Sequence, residues 1–535
     1  MEREAQGGVG AVFYVSVAIS VVFVLWGVLF TENLSGVTAF ILEYVLGNFA
    51  WLYLLSTTIF LGFVLFLAFS RFGRIRLGKD DDRPEFGRLS WFAMLFAAGM
   101  GIGLVFWGVA EPVSHLGTPP YAMAEAGSAR AAELGMRYSF FHWGLHPWAV
   151  YATVALALAY FNFRKGKGGL ISSIFYPILG DRVDGPLGKA IDVFAIIATL
   201  FGVAVSLGLG ALQINGGLSF LFDVPSGALV QIAIIAFITV LFLASAATGV
   251  NKGIKYLSSL NMGLAGLLLA FVFLLGPTVF LLDTFTQMIG DYAGALIPMS
   301  FDRNAFADSS WAGDWTIFYW ATWIAWAPFV GAFIARISRG RTIREFVFAV
   351  LVVPSFVSFF WFSTMGGTAI NLDRAGGGIS EAVTRDVNTA LFVMLEQLPL
   401  SLVTSIVAMV LIAVFFITSA DSASFVLGSM SSEGSLNPKT PVKFVWGLVI
   451  ASFASVLLLA GGLTALQNVA IIAAVPFAVI MLGMCVSLYR ALSEEPAVSR
   501  EESRTGLGEL KERVAERARG GGGPAVPRPG SSRKD

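Results

Sequence analysis

The chain predicts an all-α integral membrane protein of about twelve transmembrane helices, and three observations carry that prediction. Its 535 residues are 56% hydrophobic and only 13% charged, where a soluble domain carries roughly 25% charged residues. Apolar runs of about 20 residues, enough to cross a bilayer, recur along the whole length. Lys and Arg gather in alternate loops, as they do on the cytoplasmic side of membrane proteins.

Spans are expected near residues 10–31, 49–70, 90–110, 138–162, 190–213, 228–248, 255–276, 312–335, 346–367, 399–428, 442–462 and 466–489. Arg71, Arg74, Arg76 and Lys79 follow the second span, Arg164, Lys165 and Lys167 the fourth, and Lys252 and Lys255 the sixth. Arg336, Arg339, Arg341 and Arg344 follow the eighth, and Lys439 and Lys443 the tenth. Loops 32–48 and 214–227 hold no base. Both termini are therefore expected in the cytoplasm, with the protein multi-pass in the cell membrane.

Segment 1–88 is read as the N-terminus and two peripheral helices, 89–277 as a first five-helix set and 311–490 as a second. An odd-numbered set that recurs once must be inverted, which is the LeuT-like plan of many secondary transporters, with a substrate site at mid-membrane. The first helix of each set is where a break is expected. Residues 278–310 hold an amphipathic surface helix over 278–300, and 491–535 form a charged, partly disordered cytoplasmic tail.

Composition also excludes several classes. Net charge is zero, so no nucleic-acid footprint exists. Cys485 is the single cysteine, which rules out an intramolecular disulfide. His115, His142 and His146 are the only histidines, so neither a metal site nor any cofactor is expected. Residues 12–31 are long enough to span and are not followed by a convincing cleavage site.

Four constellations remain. Ala97-Ala98-Gly99-Met100-Gly101-Ile102-Gly103 weakens a helix by roughly 1 kcal/mol per glycine, and either unwinds to expose carbonyls or lets helices pack closely. Glu111-Pro112 marks the outer end of this helix. Trp143, Trp148 and Tyr151 share a broad face of one helix bent near Pro147. Trp315, Tyr319, Trp323 and Trp326 form a stripe at helical spacing. Ring faces attract quaternary ammonium cations; interfacial anchoring and core packing are the alternatives, and suit Trp315 and Trp320 near the helix end. The third is Phe415 to Ser422, where Thr418 and Ser419 offer hard oxygen donors and Asp421 takes a structural place near the cytoplasmic end. The fourth is the basic loop Ala335 to Glu345, whose charge the orientation rule explains.

Together these resemble the betaine/choline/carnitine transporter family over roughly residues 10–490. The most specific match runs from Phe318-Tyr319-Trp320 through Trp323-Ile-Ala-Trp326-Ala-Pro328 to Ala335-Arg336-Ile-Ser-Arg339 and Glu345-Phe346. The resemblance implies a trimethylammonium box of Trp143, Trp148, Tyr151 and Trp323, with Trp326 lining the route inward and Gly99, Met100, Gly101 and Gly103 against the substrate carboxylate. It implies a sodium site of Ala97 and Met100 with Phe415, Thr418 and Ser419, and a homotrimer. Choline carriers of the family tend to hold an acid where Gly103 stands, and sodium-independent exchangers hold a base in the seventh helix, whereas 257–276 here is uncharged. Thr322 replaces a usual Trp, and Val203 replaces a hydroxyl that would join Thr199 and Phe329 in a second sodium site. The expected function is a sodium-coupled symporter of glycine betaine or a related onium zwitterion, working by alternating access. A sodium-independent exchanger, a proton-coupled carrier and an osmolyte sensor that signals through its tail are the alternatives; the mixed-charge tail either binds anionic membrane lipid or is a solvated helix laced with ion pairs. An enzyme is not expected.

Overall fold

The computed structural model describes residues 9–99, 101–248, 251–306, 310–435 and 437–495, without the side chains of 96–99, 246–248 and 251–255. Met100, the side chains of Ala97, Lys252 and Lys255, and the charged tail from 496 onward therefore lie outside the described residues. The chain up to Leu492 forms one compact unit.

Helices dominate. Ten among the described residues are long and apolar enough to cross a membrane. The longest, Thr440–Ser493, has 54 residues, or about 80 Å at 1.5 Å per residue, far more than one crossing of a core of about 30 Å. It bends where Gly461 and Gly462 leave helical geometry at φ of 154° and 60°. Side chains are disfavoured in that left-handed region, and the bend falls at the end of the eleventh expected span.

The helices that position the site are α1 (Ala11–Leu29), α2 (Thr31–Phe69), α3 (Arg88–Gly99), α4 (Ile102–Gly117), α5 (Ala129–Trp143), α6 (Leu145–Ala159) and α7 (Pro186–Phe222). After these come α8 (Ala228–Thr248), α9 (Asn251–Leu275), α10 (Thr278–Phe301), α11 (Phe318–Ile337), α12 (Ile343–Leu372) and α13 (Ser401–Ser431). α10 covers the expected amphipathic segment and packs on α5 and α12.

Several boundaries differ from expectation for physical reasons. The presumed loop 32–48 is the first half of the 39-residue α2; it holds no proline, and its apolar residues extend the helix past the bilayer. Glu111-Pro112 does not end a helix, because α4 continues to Gly117. The aromatic helix is broken at Gly144 (φ −96°, ψ −135°), not merely bent at Pro147. Pro147 sits in the first turn of α6, where its missing N–H costs nothing. The free N–H of Leu145 is satisfied by the Tyr292 hydroxyl at 3.0 Å. The first helix of the second set does not break in mid-span. α11 runs unbroken past Pro328, and its one irregularity is a π turn at Gly313–Ile317, at its start.

Close packing depends on small residues, because lipid supplies no hydrophobic drive between helices. α11 lies against α6, and a Cβ at Gly331 would come within 2.8 Å of Val154 Cγ1. α11 meets α7 where the Trp326 Nε1–H donates to Gly202 O at 2.7 Å.

The basic loop after α11 is a structural joint. Leu77 N–H donates to Arg341 O, and Gly340 N–H to Leu77 O, each at 2.8 Å. Arg341 is buried, stacks 4.4 Å from the Trp91 ring centroid and pairs with Glu345 at 2.7 Å. Arg339 donates to Asp82 at 3.1 Å, and that hydrogen bond holds the Asp82 carboxyl below its ordinary pKa. This loop thus ties the α11–α12 turn to the segment after α2.

Candidate functional site

The helix interruptions create the site. α3 stops at Gly99 and α4 begins at Ile102, with Gly101 at φ −152° and ψ −150° between them. This break lies in the glycine run, as one of the two sequence readings required. Beside it opens a cavity of about 1150 Å³, whose wall includes Gly101, Gly103, Trp143, Tyr151, Trp323 and Trp326. Its far end reaches Arg336, Asn437, Thr440 and Lys443, so it runs toward the basic loops.

The upper wall is a cage. Trp323 meets Trp143 edge to face, with centroids 4.9 Å apart at 80°. It meets Tyr151 in the same way, at 5.9 Å and 85°. Tyr319 lines the cavity as well and stacks on Trp323 at 6.3 Å and 18°. Rings at right angles present faces from several sides, the arrangement that surrounds a compact onium cation. The Trp323 Nε1–H donates to His142 O at 3.0 Å and fixes the ring at the Gly144 break. A Cβ at Gly103 would sit 3.3 Å from Trp143 Cη2, so that glycine lies against the cage.

Not every expected box residue reaches the cavity. Trp148 is buried behind Tyr151, edge-on at 5.6 Å, and is not part of the wall. Trp315 lies outside the cavity and packs against His115 and Trp107. Trp320 is no interfacial anchor: its ring is fully buried and stacks on His146 at 5.2 Å and 21°. Helical spacing placed it near an end of the span, but α5 and α6 cover that face.

Phe415, Thr418, Ser419 and Asp421 all line the same cavity. Thr418 Oγ1 donates within its own helix, to Val414 O at 2.9 Å, and accepts from Asn261 Nδ2 at 3.1 Å. Asn261, on α9, went unremarked in the sequence because a lone amide in an apolar run carries no spacing signal. Met100 and the side chain of Ala97, expected beside these residues, lie outside the described residues. Of the second expected ion site, Phe329 lines the cavity, while Thr199 and Val203 are buried away from it. The Thr199 hydroxyl donates to Ala195 O at 2.8 Å.

Behind the cage lies a buried polar knot that the sequence reading did not identify. Glu111 has no solvent exposure. Its Oε2 accepts from Trp143 Nε1 at 2.9 Å and from the Tyr319 hydroxyl at 2.6 Å. Its Oε1 lies 2.6 Å from His142 Nδ1, and His142 Nε2 lies 2.9 Å from Thr316 Oγ1. His115 Nε2 is 3.6 Å from Glu111 Oε1. Few histidines gave little reason to expect a metal-ligand set, yet Glu111, His115 and His142 bring ligand-type atoms within 4.8 Å of one another. The direct bond between Glu111 and His142 makes the two groups each other's partners. The signal that would have found Glu111 is an acid flanked by Val109, Ala110, Pro112 and Val113 inside an apolar helix.

Residues 11–497 match the model of the family described as BCCT, betaine/carnitine/choline family transporter. The chain belongs to this transporter family. It is a multi-pass membrane transporter and not an enzyme. The chain is 54% identical over 493 residues to the glycine betaine transporter OpuD of Bacillus subtilis (strain 168), covering 91% of this chain and 95% of that one. It is 46% identical over 484 residues to the ectoine/hydroxyectoine transporter of Virgibacillus pantothenticus, covering 90% and 96%. It is 42% identical over 511 residues to the betaine/ectoine transporter LcoP of Corynebacterium glutamicum, covering 94% and 80%.

Proposed function

We propose that this transporter imports glycine betaine, or a closely related onium zwitterion, as a sodium-coupled symporter that works by alternating access. The observation that carries the substrate class is the cage of Trp143, Tyr151, Trp323 and Tyr319 at one end of the cavity, with uncharged Gly103 against it. The rings take the trimethylammonium group. A zwitterion brings its own anion, so no fixed acid is needed at position 103, and the helix interrupted at Gly101 brings backbone to the cavity wall where the carboxylate would lie. The names of the three relatives agree with a compatible-solute substrate.

Sodium coupling is supported by hard oxygen donors along the cavity. The hydroxyls of Thr418 and Ser419 line the cavity wall that also holds Gly101. With Phe415, Ala97 and Met100 they would complete an all-oxygen shell for a hard cation. The uncharged segment 257–276 supplies no fixed base to replace it. Val203, apolar where a hydroxyl would be needed, favours a single ion over two. A cytoplasmic placement of both termini, two inverted five-helix sets within twelve spans, and a homotrimer complete the reading.

A second substrate, ectoine, is favoured by Thr322. Its small side chain lines the cavity where the family usually has a Trp, and leaves room for a ring. Calorimetric titration of the purified transporter in sodium, with betaine, ectoine, choline, carnitine and dimethylsulfoniopropionate, tests the substrate class. Betaine should bind most tightly and choline, which lacks an anion, much more weakly. Tight choline binding without betaine binding would refute the reading.

A further inference from the structure

The cage is built around a buried anion that no substrate atom needs to touch. Two of its cavity-lining rings, Trp143 and Tyr319, point their only polar hydrogens at one oxygen of Glu111. That carboxylate is fully buried and takes a further bond from His142. The same His142 offers its backbone carbonyl to Trp323. Three rings of the cage are thus tied to one side chain, two directly and one through a neighbour.

We propose that Glu111 is a positioning and tuning residue that sets how strongly the cage attracts a cation. A hydrogen bond to an ionised acceptor is about twice as strong as a neutral one, and it polarises its donor. An indole N–H or phenol O–H drawn toward a carboxylate leaves more electron density on its ring. The ring face therefore becomes more negative, and the face is what holds the onium group. The carboxylate remains apart from the substrate and so does not repel the substrate's anion, as an acid at position 103 would. Packing alone predicts a different outcome: it would hold the rings in place but be indifferent to the ligand's charge.

This inference rests on the onium reading of the cavity, and the test separates the two. The ligands are glycine betaine and its carbon isostere 3,3-dimethylbutanoate, which keeps the carboxylate and replaces trimethylammonium by a neutral tert-butyl group. Wild-type protein, Glu111→Gln and Tyr319→Phe are titrated by calorimetry in sodium. Glu111→Gln keeps the shape and one acceptor oxygen but removes the charge. It should weaken betaine about five- to thirtyfold, near the worth of one desolvated cation–π contact, and leave the isostere within about twofold. Tyr319→Phe keeps the ring, removes one donor, and should show the same selectivity at about two- to fivefold. Equal weakening of both ligands, or unchanged betaine binding, would overturn the role of Glu111. Should Glu111→Gln not fold, the ratio measured in Tyr319→Phe decides. A wild type that binds both ligands equally, or neither, refutes the onium reading itself.

Discussion

Trp323→Leu removes the ring on which the cage converges. Trp323 stands perpendicular to both Trp143 and Tyr151, so its loss opens one face of an enclosure that the other rings cannot close. One desolvated cation–π contact is worth about 0.5–2 kcal/mol. The change also strands His142 O, which accepts the indole N–H at the break after Trp143; that loss of about 0.5–1.5 kcal/mol is common to free and bound protein and falls on stability. The lost contact alone corresponds to betaine binding about two- to thirtyfold weaker, at 1.4 kcal/mol per decade. Trp323→Phe keeps a smaller aromatic face, so its loss should be less, about two- to fivefold. Trp315→Leu is the control: it lies outside the cavity and should change affinity by less than about twofold. Equilibrium binding of labelled betaine to the three purified variants, with thermal unfolding recorded alongside, is the assay. If Trp315→Leu weakens binding as much as Trp323→Leu in folded protein, the stripe is packing and the cage argument is wrong.

Three further outcomes follow from the geometry. Gly103→Asp places a carboxylate beside Trp143; choline uptake should rise and betaine uptake fall, and a variant with unaltered betaine uptake and no choline gain would remove Gly103 from the site. Thr418→Ala combined with Ser419→Ala should raise the sodium concentration for half-maximal uptake while affinity at saturating sodium changes much less, and wild-type uptake should follow sodium with a Hill coefficient near one, against about two for cooperative two-ion coupling. Gly144→Ala would bring a methyl to 2.5 Å from Phe140 O and 2.8 Å from the Tyr292 hydroxyl; overpacking of this kind costs about 1–3 kcal/mol, so the unfolding midpoint should drop, and an unchanged midpoint would mean that the break adapts freely.

The sequence revealed the features that repeat or cluster. Apolar runs of spanning length located the helices, and the glycine run located the break between α3 and α4. The stripe at spacings of four brought Tyr319 and Trp323 together, because a regular helix preserves such spacing. What it concealed depends on partners distant in the chain. The helix breaks at Gly144, where Phe140, Tyr292 and Phe359 crowd the space a side chain would need. Trp148 looked equivalent to Trp143 in pattern, yet it packs edge-on against Tyr151 and does not line the cavity. Trp320 sits near a helix end but is covered by α5 and α6. Glu111 looked like punctuation beside Pro112, since nothing in the local sequence indicates that Trp143, Tyr319 and His142 converge on it. The length of α2 was missed for the opposite reason: the hydropathy of 32–48 is modest, and only the lack of a helix breaker spoke for continuation.

Sodium-driven accumulation of betaine is the central claim, and reconstituted protein tests it most directly. Proteoliposomes containing the wild-type transporter are diluted into labelled glycine betaine with an inward sodium gradient and no internal substrate. The account predicts accumulation above equilibrium that disappears when potassium replaces sodium outside. Equal uptake in potassium, or uptake that requires unlabelled substrate inside and ignores sodium, would contradict it.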